Sequence, residues 1–350
     1  MFDFVKDKTC IKENKLPFVS IIILSYNSKN DLKTCLDSIE QLNYSFDKLE
    51  VIIADNDSTD ESVEFVKKNF PWVRTIKFEK NYGYAAGNNR AASLAKGELV
   101  AFINPDTILD KNWLIKLIEV FYQDTKIAAC GGKILFPESN NTVQVAGCKM
   151  CPHGGGYNIG YGDEDSDKYN VSKYNLAPPG CAMLVKKDVF LSLGGFDEDY
   201  FMYVEEFDFG YRLWLSGFKV LYVPEAIAYH SMWSGLKLKL GPLSVYNEAR
   251  NRLITILKNF DWYNVPKGFI VSFLYATYMG IKFLRAKKFN LLILLIKGHI
   301  DFLLMLQKSL GKRRDVQKKR KLHDKEMYEF GLLASLNECY MELKRINKFR

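Results

Sequence analysis

Short hydrophobic runs alternate with amphipathic stretches over the first two thirds of the chain. Runs rich in apolar and β-branched residues predict strands at residues 18–24, 49–54, 73–78, 99–103, 127–136, 181–186 and 219–223. Apolar positions at helical spacing predict helices between them, at residues 31–42, 61–69, 113–122 and in a stretch that ends at 95. Because strands and helices alternate at the spacing of β-α-β units, we predict an α/β fold with a largely parallel sheet.

Polar segments directly follow three of the predicted strands, at Ser25–Ser28, Asp55–Asp60 and Asn104–Thr107. In open α/β sheets, ligands bind outside the carboxyl ends of the strands, and Pro105 stiffens the turn that would hold Asp106 toward such a ligand. A nucleotide lying across this edge could therefore meet both Asp106 and the pair Asp55 and Asn56. For residues 104–107 alone, a β-turn with an Asx hydrogen bond is the competing interpretation.

Residues 201–215 form a second chemically informative stretch, in which charged residues lie among aromatic ones. Helical spacing places Glu205 and Asp208 on one face with Arg212 one turn further along, and it turns Glu206 in a different direction. Burying charged side chains among aromatic ones costs free energy unless the charges are paired or have a functional role. We expect Arg212 to orient the carboxylates of Glu205 and Asp208 rather than to touch a substrate.

A divalent cation is expected at the edge of the sheet. Asp106 could hold it against a diphosphate, because Mg²⁺ and Mn²⁺ favour oxygen ligands. His230 is a further candidate ligand, more natural for Mn²⁺, and a hydrogen-bonded structural histidine is the alternative. The sequence contains no Gly-x-Gly-x-x-Gly loop and no Walker sequence, which argues against a dinucleotide dehydrogenase or a P-loop ATPase.

The charge is distributed unevenly along the 350 residues. The net charge is +8, whereas residues 241–350 alone carry 22 Lys and Arg against 9 Asp and Glu, a net of +13. The apolar stretches at 268–284 and 291–310 are interrupted by charges, so they fit amphipathic or interfacial helices better than spanning ones. We expect domains at 1–240 and 241–350, the second contacting an anionic membrane surface; a helical bundle with a solvated basic face is the alternative.

Seven cysteines at scattered positions do not resemble a disulfide framework, and free thiols are expected. Cys148, Cys151 and His153 lie close enough to suggest zinc, but no second ligand pair stands at finger-like spacing, which favours buried thiols in a loop. Residues 1–15 contain no apolar run of leader length, so a cytoplasmic protein is expected. The stretch 147–175 predicts a long lid, whose tyrosines could stack on sugars or simply pack the loop.

Seven segments, in order, resemble the family 2 glycosyltransferases with a GT-A fold: SIIILSYNS, IIADNDSTDES, NYGYAAGNNRAA, GELVAFINPDT, PPGCAMLVKKDVF, GGFDEDYFMYVEEFDFGYRLWLSGFKV and AYHSMWS. The Asn-Pro-Asp motif and the later YNEARNR resemble the branch that includes rhamnosyltransferases. The resemblance covers about Val19 to Arg252. It implies a Rossmann-like, mostly parallel sheet with an α-helical C-terminal extension.

The resemblance also implies roles for individual residues. Asp55 and Asn56 match the base-contacting pair, Asp106 the metal and diphosphate ligand, and His230 the late metal-associated histidine. Glu206 stands where the family has its catalytic base, although the usual Glu-Asp pair is Glu205-Glu206 here. The nucleotide-sugar site is further expected to include the residues Ser25, Asn27, Gly87, Asn88 and Asn104, the last replacing the first acidic residue of the metal motif.

The implied reaction is a single in-line displacement with inversion at the anomeric carbon, with Mn²⁺ or Mg²⁺ as cofactor. The first choice of donor is dTDP-rhamnose and the second a UDP-hexose, with a glycan or lipid-linked glycan of cell-surface polysaccharide synthesis as acceptor. The protein could lie peripherally on the inner face of the cell membrane or form a homo-oligomer, and no nucleic-acid partner is expected. Two alternatives are a nucleotidyltransferase of related fold, although Ser25–Ser28 replaces its Gly-rich basic loop, and a noncatalytic scaffold.

Overall fold

A computed structural model of the chain describes residues 16–231 and 241–346. In chain order, its strands are β1 (Val19–Ser25), β2 (Leu49–Asp55), β3 (Arg74–Lys77), β4 (Leu99–Ile103), β5 (Thr107–Leu109), β6 (Ile127–Phe136), β7 (Ser139–Val145), β8 (Cys148–Met150), β9 (Gly156–Asn158), β10 (Lys173–Tyr174), β11 (Ala182–Lys186) and β12 (Lys219–His230). The helices are α1 (Lys29–Glu40), α2 (Ser62–Asn69), α3 (Gly83–Leu94), α4 (Trp113–Phe121), α5 (Lys187–Ser192), α6 (Glu205–Leu215), α7 (Pro242–Asn259), α8 (Val265–Arg285), α9 (Phe289–Leu304), α10 (Leu306–Lys318), α11 (Asp324–Glu329) and α12 (Leu336–Ile346).

One mixed sheet dominates the described residues, and its main path runs β10-β12-β6-β11-β4-β1-β2-β3. Parallel pairing joins β1 to β2 and to β4, β2 to β3, and β6 to β12. β11 runs antiparallel between β4 and β6, and β10 runs antiparallel to β12. The other strands of the path all point the same way, which confirms the predicted α/β fold with a largely parallel sheet. The carboxyl ends of β1, β2, β4 and β12 therefore lie along one edge.

Both faces of the central strands are buried, as their continuous apolar runs predict. In β1, Ile22 packs with the core that contains α3, α6 and α7, whereas Ile21 and Ile23 pack with α1 and α4 on the opposite face. Side chains of a strand alternate between faces, so a run without polar residues needs a helical layer on each side. The sheet is thereby held rigidly beneath the polar residues at its edge.

β12 is longer than the hydrophobic pattern predicts. The predicted strand stops at Pro224, whereas β12 continues to His230 beyond a shift in its register with β6 between Val223 and Ile227. A β-bulge accommodates a proline because the residues within it leave the hydrogen-bonded ladder. This extension carries His230 to the edge where the parallel strands end.

The C-terminal helices pack against the sheet domain. Ile254, Ile256 and Leu257 of α7 belong to the same core as residues of β4, and the next two helices, α8 and α9, pack against α7. The apolar stretch predicted at 291–310 is divided at Met305 between α9 and α10. Within residues 16–231 and 241–346, no helix on its own is long and apolar enough to cross a membrane; α9 and α10 satisfy that test only as a pair bent by 65°.

A disulfide between Cys151 and Cys339 shows that the prediction of free thiols is wrong for these two residues. They lie 188 residues apart in sequence and meet because the segment before α12 docks on β8, where the Ala334 N–H donates to the Met150 carbonyl. The remaining described cysteines are buried free thiols. Cys10 and the predicted absence of a leader in residues 1–15 fall outside the described residues.

The segment 147–175 is less irregular than predicted, because it contains the β8–β9 hairpin and the short strand β10. Its tyrosines mostly pack the segment itself. Tyr161 and Tyr169 are buried, and the ring of Tyr174 lies edge-on to Trp214 at 5.5 Å. Of the two interpretations of these tyrosines, loop packing therefore describes these three.

Candidate active site

Asp106 and His230 meet at the edge of the sheet through strand register. β5 pairs antiparallel with the end of β12, so that Thr107 lies opposite His230. The preceding residue, Asp106, accepts a hydrogen bond from the Ser231 N–H at its carbonyl, and its Oδ1 lies 3.2 Å from His230 Nε2. Asn104 Nδ2 is 3.3 Å from the same ring nitrogen. The predicted neighbours Asn104, Asp106 and His230 thus form one cluster.

Gln144, which the sequence patterns did not indicate, fixes the orientation of His230. Its Nε2 donates to the His230 carbonyl at 3.0 Å, and its Oε1 accepts from His230 Nδ1 at 2.7 Å. Because a carbonyl can only accept, the first bond sets the orientation of the amide, and Nδ1 must then carry the ring proton. The lone pair of Nε2 is left facing Asp106. An outer partner of this kind is the usual support of a metal-binding histidine.

A cavity of about 380 Å³ opens beside this cluster. Its lining includes Asn104, His230, Glu205 and Glu206, whereas Asp106 is not among the lining residues. Other lining residues include Tyr84, Gln144, Pro179, Gly180, Tyr203, Glu248 and Arg252. The volume of the cavity falls in the range of small-molecule binding sites. The cavity therefore brings together residues from the end of β12, from α6 and from the turn after β4, which are far apart in sequence.

The backbone in front of Glu205 is strained. Phe201, Tyr203 and Val204 all have positive φ angles, which for a β-branched residue such as Val204 is a true outlier. The surrounding structure holds this conformation, because Asn251 Nδ2 on α7 donates to the carbonyls of Tyr200, Met202 and Tyr203. Strain of this kind clusters at functional sites. Here it turns the first residues of α6 into the cavity.

Glu206 and Glu205 differ in electrostatic environment. Burial raises the pKa of Glu206 to about 7; backbone N–H groups oppose this shift and the charge of Glu248 adds to it. Glu205 is only 6% exposed, and burial together with the charge of Glu206 raises its pKa well above the usual range. Its Oε2 has no hydrogen-bond partner among the described residues. Near neutral pH, Glu206 can therefore exchange a proton, while its surroundings favour the neutral acid form of Glu205.

Asp208 and Arg212 lie behind the cavity rather than in it. Arg212 Nε donates to Asp208 Oδ2 at 2.8 Å, and its terminal nitrogens donate to the carbonyls of Leu193 and Gly195. The structure thus shows the expected pairing with Asp208, but Glu205 is not among the partners of Arg212 in the described chain. Lys258 Nζ also lies 2.8 Å from Asp208 Oδ1, so this buried carboxylate joins α6 to α7.

Two buried polar atoms lie side by side where β1 and β2 end. Ser25 and Asp55 are partners in the parallel register, and neither Ser25 Oγ nor Asp55 Oδ1 has a hydrogen-bond partner within the described residues. Buried polar atoms are rarely left unpaired in native proteins, so this pair indicates a place for a ligand. Asn27 is engaged nearby, where its Oδ1 accepts from the Thr59 N–H at 2.8 Å.

The side chain of Asn56 forms hydrogen bonds with other residues of the chain. Its Oδ1 accepts from the Tyr82 N–H at 2.9 Å, and its Nδ2 donates to Asn81 Oδ1 and to the Gly83 carbonyl. These bonds position the start of α3, whose next residue, Tyr84, lines the cavity and donates to the Gly180 carbonyl at 2.6 Å. Asn56 therefore links the β2 end of the edge to the cavity.

Gly87 and Asn88 have packing roles in this structure. A Cβ atom at Gly87 would lie 2.7 Å from Leu24 Cδ1, so a larger residue there would require the Leu24 side chain to move. Asn88 is buried, and its Nδ2 donates to the Tyr84 carbonyl. Neither residue belongs to the cavity wall given above.

Metal ligands are present as a pair rather than as a larger set. Across residues 16–231 and 241–346, no three His, Cys, Asp or Glu side chains are grouped so that they could hold an ion. Cys151 is in the disulfide, and His153 Nδ1 accepts from the Gly155 N–H, so the suggested zinc trio does not form. The chemistry of Asp106 and His230 nevertheless fits a cation that also binds phosphate oxygens and water.

Comparison with known proteins gives a consistent result. Residues 20–188 match the model of the family described as Glycosyl transferase family 2. The O-antigen biosynthesis protein RfbC of Myxococcus xanthus is 31% identical over 215 residues, 59% of this chain and 16% of that protein. The N-acetylglucosaminyl-diphospho-decaprenol L-rhamnosyltransferase of Mycobacterium tuberculosis (strain CDC 1551 / Oshkosh) is 27% identical over 202 residues, 51% of this chain and 66% of that protein. The chain thus spans less than two thirds of either relative.

A solved structure agrees at the level of the fold. The mannosyltransferase PcManGT from Pyrobaculum calidifontis, in complex with GDP-Man and Mn²⁺, has a TM-score of 0.52 at 16% sequence identity, covering 83% of this chain and 88% of its own. The predicted GT-A fold is confirmed by this likeness and by the sheet described above. The family match spans residues 20–188, just under half of the chain, and assigns that segment to glycosyltransferase family 2.

Proposed function

We propose that the protein is an inverting, metal-dependent glycosyltransferase that transfers a sugar from a nucleotide-sugar donor to a glycan or lipid-linked glycan. The observation that carries this proposal is the shared cavity, whose lining includes His230, Asn104 and Glu206. It combines groups suited to a diphosphate with a carboxyl whose pKa is raised to about 7. A displacement at an anomeric carbon requires both kinds of group, one to stabilise the leaving diphosphate and one to accept the proton of the attacking hydroxyl.

The donor would lie along the edge of the sheet. Ser25 Oγ and Asp55 Oδ1, both unpartnered in the described structure, would hydrogen-bond the base or ribose, with Asn27 and Asn56 positioning the loops around them. Asn104, Asp106 and His230 would hold the diphosphate end. A Mn²⁺ or Mg²⁺ ion bound to Asp106 and His230 would neutralise the charge that develops on the leaving diphosphate.

Glu206 would remove the proton from the acceptor hydroxyl as that oxygen attacks the anomeric carbon from the side opposite the diphosphate. A carboxylate is effective as a general base when its pKa lies near the working pH, because it then combines the ionised form with sufficient basicity. Burial and the charge of Glu206 raise the pKa of Glu205, which favours its neutral form beside the ionised base. Asp208 and Arg212 would support α6 from behind.

Activity should depend on pH through Glu206. Its pKa is raised in the folded protein, so the carboxyl is protonated and inactive below about pH 7 and ionised above it. Release of nucleoside diphosphate should therefore fall about tenfold per pH unit below pH 7 and level off above it. Measuring donor affinity at each pH separates this effect on turnover from a loss of donor binding. A profile that inflects near the ordinary carboxyl value of 4.5 would contradict the assignment.

Gln144→Leu should weaken the metal-dependent part of donor binding. The substitution removes the acceptor for His230 Nδ1, so the ring loses the bond that directs Nε2 toward Asp106. Loss of such an outer partner typically costs about 10- to 100-fold in metal affinity. Calorimetry of the donor with and without Mn²⁺ measures it, with Asn141→Leu on the same strand as the matched control. An unchanged Mn²⁺ affinity in Gln144→Leu would rule out this role.

The donor is most economically identified by thermal shift. A bound ligand stabilises the folded state by mass action, so a panel of nucleotide sugars with Mn²⁺ or Mg²⁺ reports the right one as the largest rise in Tm. We propose dTDP-rhamnose first, supported by the likeness to a mycobacterial L-rhamnosyltransferase, and a UDP-hexose second. Stabilisation by no nucleotide sugar at all would count against the proposed function.

A further inference from the structure

The outer sides of α8 and α9 carry rows of exposed apolar residues. Ile270, Phe273 and Ile281 on α8, and Ile293, Ile296 and Ile300 on α9, are each between 45% and 68% exposed. We call these six residues the hairpin face. Their spacing of three, four or more residues within each helix keeps each row on one side of its helix. Exposed apolar patches of this kind mark interaction sites.

The hairpin face is not needed to fold the two helices. Their inner sides are already packed, because Met279 and Phe283 of α8 and Leu291 and Leu295 of α9 form a core with Val245 of α7. The outer rows consequently point away from α7. Within the described residues, nothing covers the six side chains enough to remove them from solvent.

The charge around the hairpin face has one sign. Residues 265–304, which span both helices and their turn, contain six Lys and Arg but a single carboxylate, Asp301, which accepts a hydrogen bond from the Tyr246 hydroxyl. Arg285 at the end of α8 is exposed, as are Lys287 and Lys288 in the turn that follows it. A second copy of this face would bring like charges together without acidic partners, which disfavours self-association. An anionic surface with an apolar interior matches both properties.

We propose that the hairpin face docks on an anionic lipid bilayer, with α8 and α9 lying in the interface and the Lys and Arg side chains reaching the headgroups. Neither helix is long and apolar enough to span a membrane by itself, and an amphipathic pair rimmed by basic residues is suited to lie along its surface. The docking does not depend on the proposed transfer reaction.

The arrangement of α7 gives this docking a consequence for the catalytic cavity. Val245 and Ala249 of α7 pack against the hairpin, while Glu248 and Arg252 of the same helix line the cavity. A docked hairpin would therefore hold the cavity close to the headgroups, within reach of an acceptor that is anchored in the membrane. This last step rests on the proposed function.

Flotation of the full chain with vesicles tests the docking. We expect it to float with vesicles of mixed phosphatidylglycerol and phosphatidylcholine, to float poorly with phosphatidylcholine alone, and to be released by high salt. The double variant Phe273→Ser/Ile296→Ser should lower partitioning about tenfold or more. The matched control is Val171→Ser/Leu191→Ser, which changes residues that are 62% and 45% exposed on the sheet domain, and it should float like the wild type.

Circular dichroism and the donor thermal shift show whether the double variant retains its fold and its donor site, so that failure of docking is distinguished from failure of the enzymatic proposal. No flotation of the wild type, equal flotation of both double variants, or vesicle-free dimerisation abolished by Phe273→Ser/Ile296→Ser would each overturn the proposal. Loss of flotation in the hairpin variant alone, with the donor shift intact, supports it.

Discussion

Replacing Glu206 by glutamine is expected to lower kcat for nucleoside-diphosphate release by about 10²- to 10⁴-fold, the usual contribution of a general base. The amide has nearly the same shape as the carboxyl but cannot take a proton at neutral pH. Because the proposed donor contacts lie at Ser25, Asp55 and Asp106, donor affinity measured by calorimetry should stay close to that of the wild type. A variant that retains near wild-type kcat would exclude Glu206 as the base.

The neighbouring Glu205 provides a discriminating control for that experiment. Burial raises its pKa well above the ordinary range, which favours the neutral acid, and glutamine resembles that neutral form. Glu205→Gln should therefore reduce kcat far less than Glu206→Gln does. Glu64→Gln, in the exposed part of α2, controls for the loss of one negative charge far from the cavity. The reverse order of effects would move the base assignment to Glu205.

Lys258→Met is expected to cause the largest loss of stability, about 3 kcal/mol. Lys258 is 1% exposed and forms ion pairs with Asp197 and Asp208, whose side chains are 6% and 0% exposed. Removing its charge leaves these carboxylates with Lys312 and Arg212 as their remaining cationic partners, which places the expected loss at the low end of the range for broken buried ion pairs. Equilibrium urea unfolding measures the change.

Lys318→Met, at an exposed position of α10, is the matched control and should change the free energy of unfolding by less than about 0.5 kcal/mol.

Burial raises the pKa of Asp208, but Lys258 and Arg212 outweigh it and hold the pKa below its usual value. The stability that this carboxylate contributes is therefore present above its unfolded pKa and is lost as pH falls below it. A loss below about 1 kcal/mol in Lys258→Met would show that the cluster is not a strong link between α6 and α7.

The sheet could be predicted from the sequence because its signal is local. Runs such as residues 99–103 are hydrophobic on every position, and only a strand covered on both faces needs that pattern. The polar residues after these runs, including Asp55 and Asp106, follow directly from where each strand ends. The parallel direction of the strands then places them along the same edge.

Other parts of the site depend on contacts between distant segments, which the patterns do not report. The bulge that lets β12 pass Pro224 is set by pairing with β6, and Gln144 acquires its role only because β7 lies beside His230. Asn251 likewise appears as an ordinary helix residue until the strained loop that it holds is seen. The Cys151–Cys339 disulfide forms between residues that only tertiary packing brings together.

A crystal structure with the donor nucleotide sugar and Mn²⁺ most directly tests whether one cavity performs the transfer. The proposed mechanism places the nucleobase beside Ser25 and Asp55, the diphosphate and metal at Asp106 and His230, and the anomeric carbon facing Glu206. A nucleotide bound elsewhere, or a sugar turned away from Glu206 with the metal held by other residues, would contradict it.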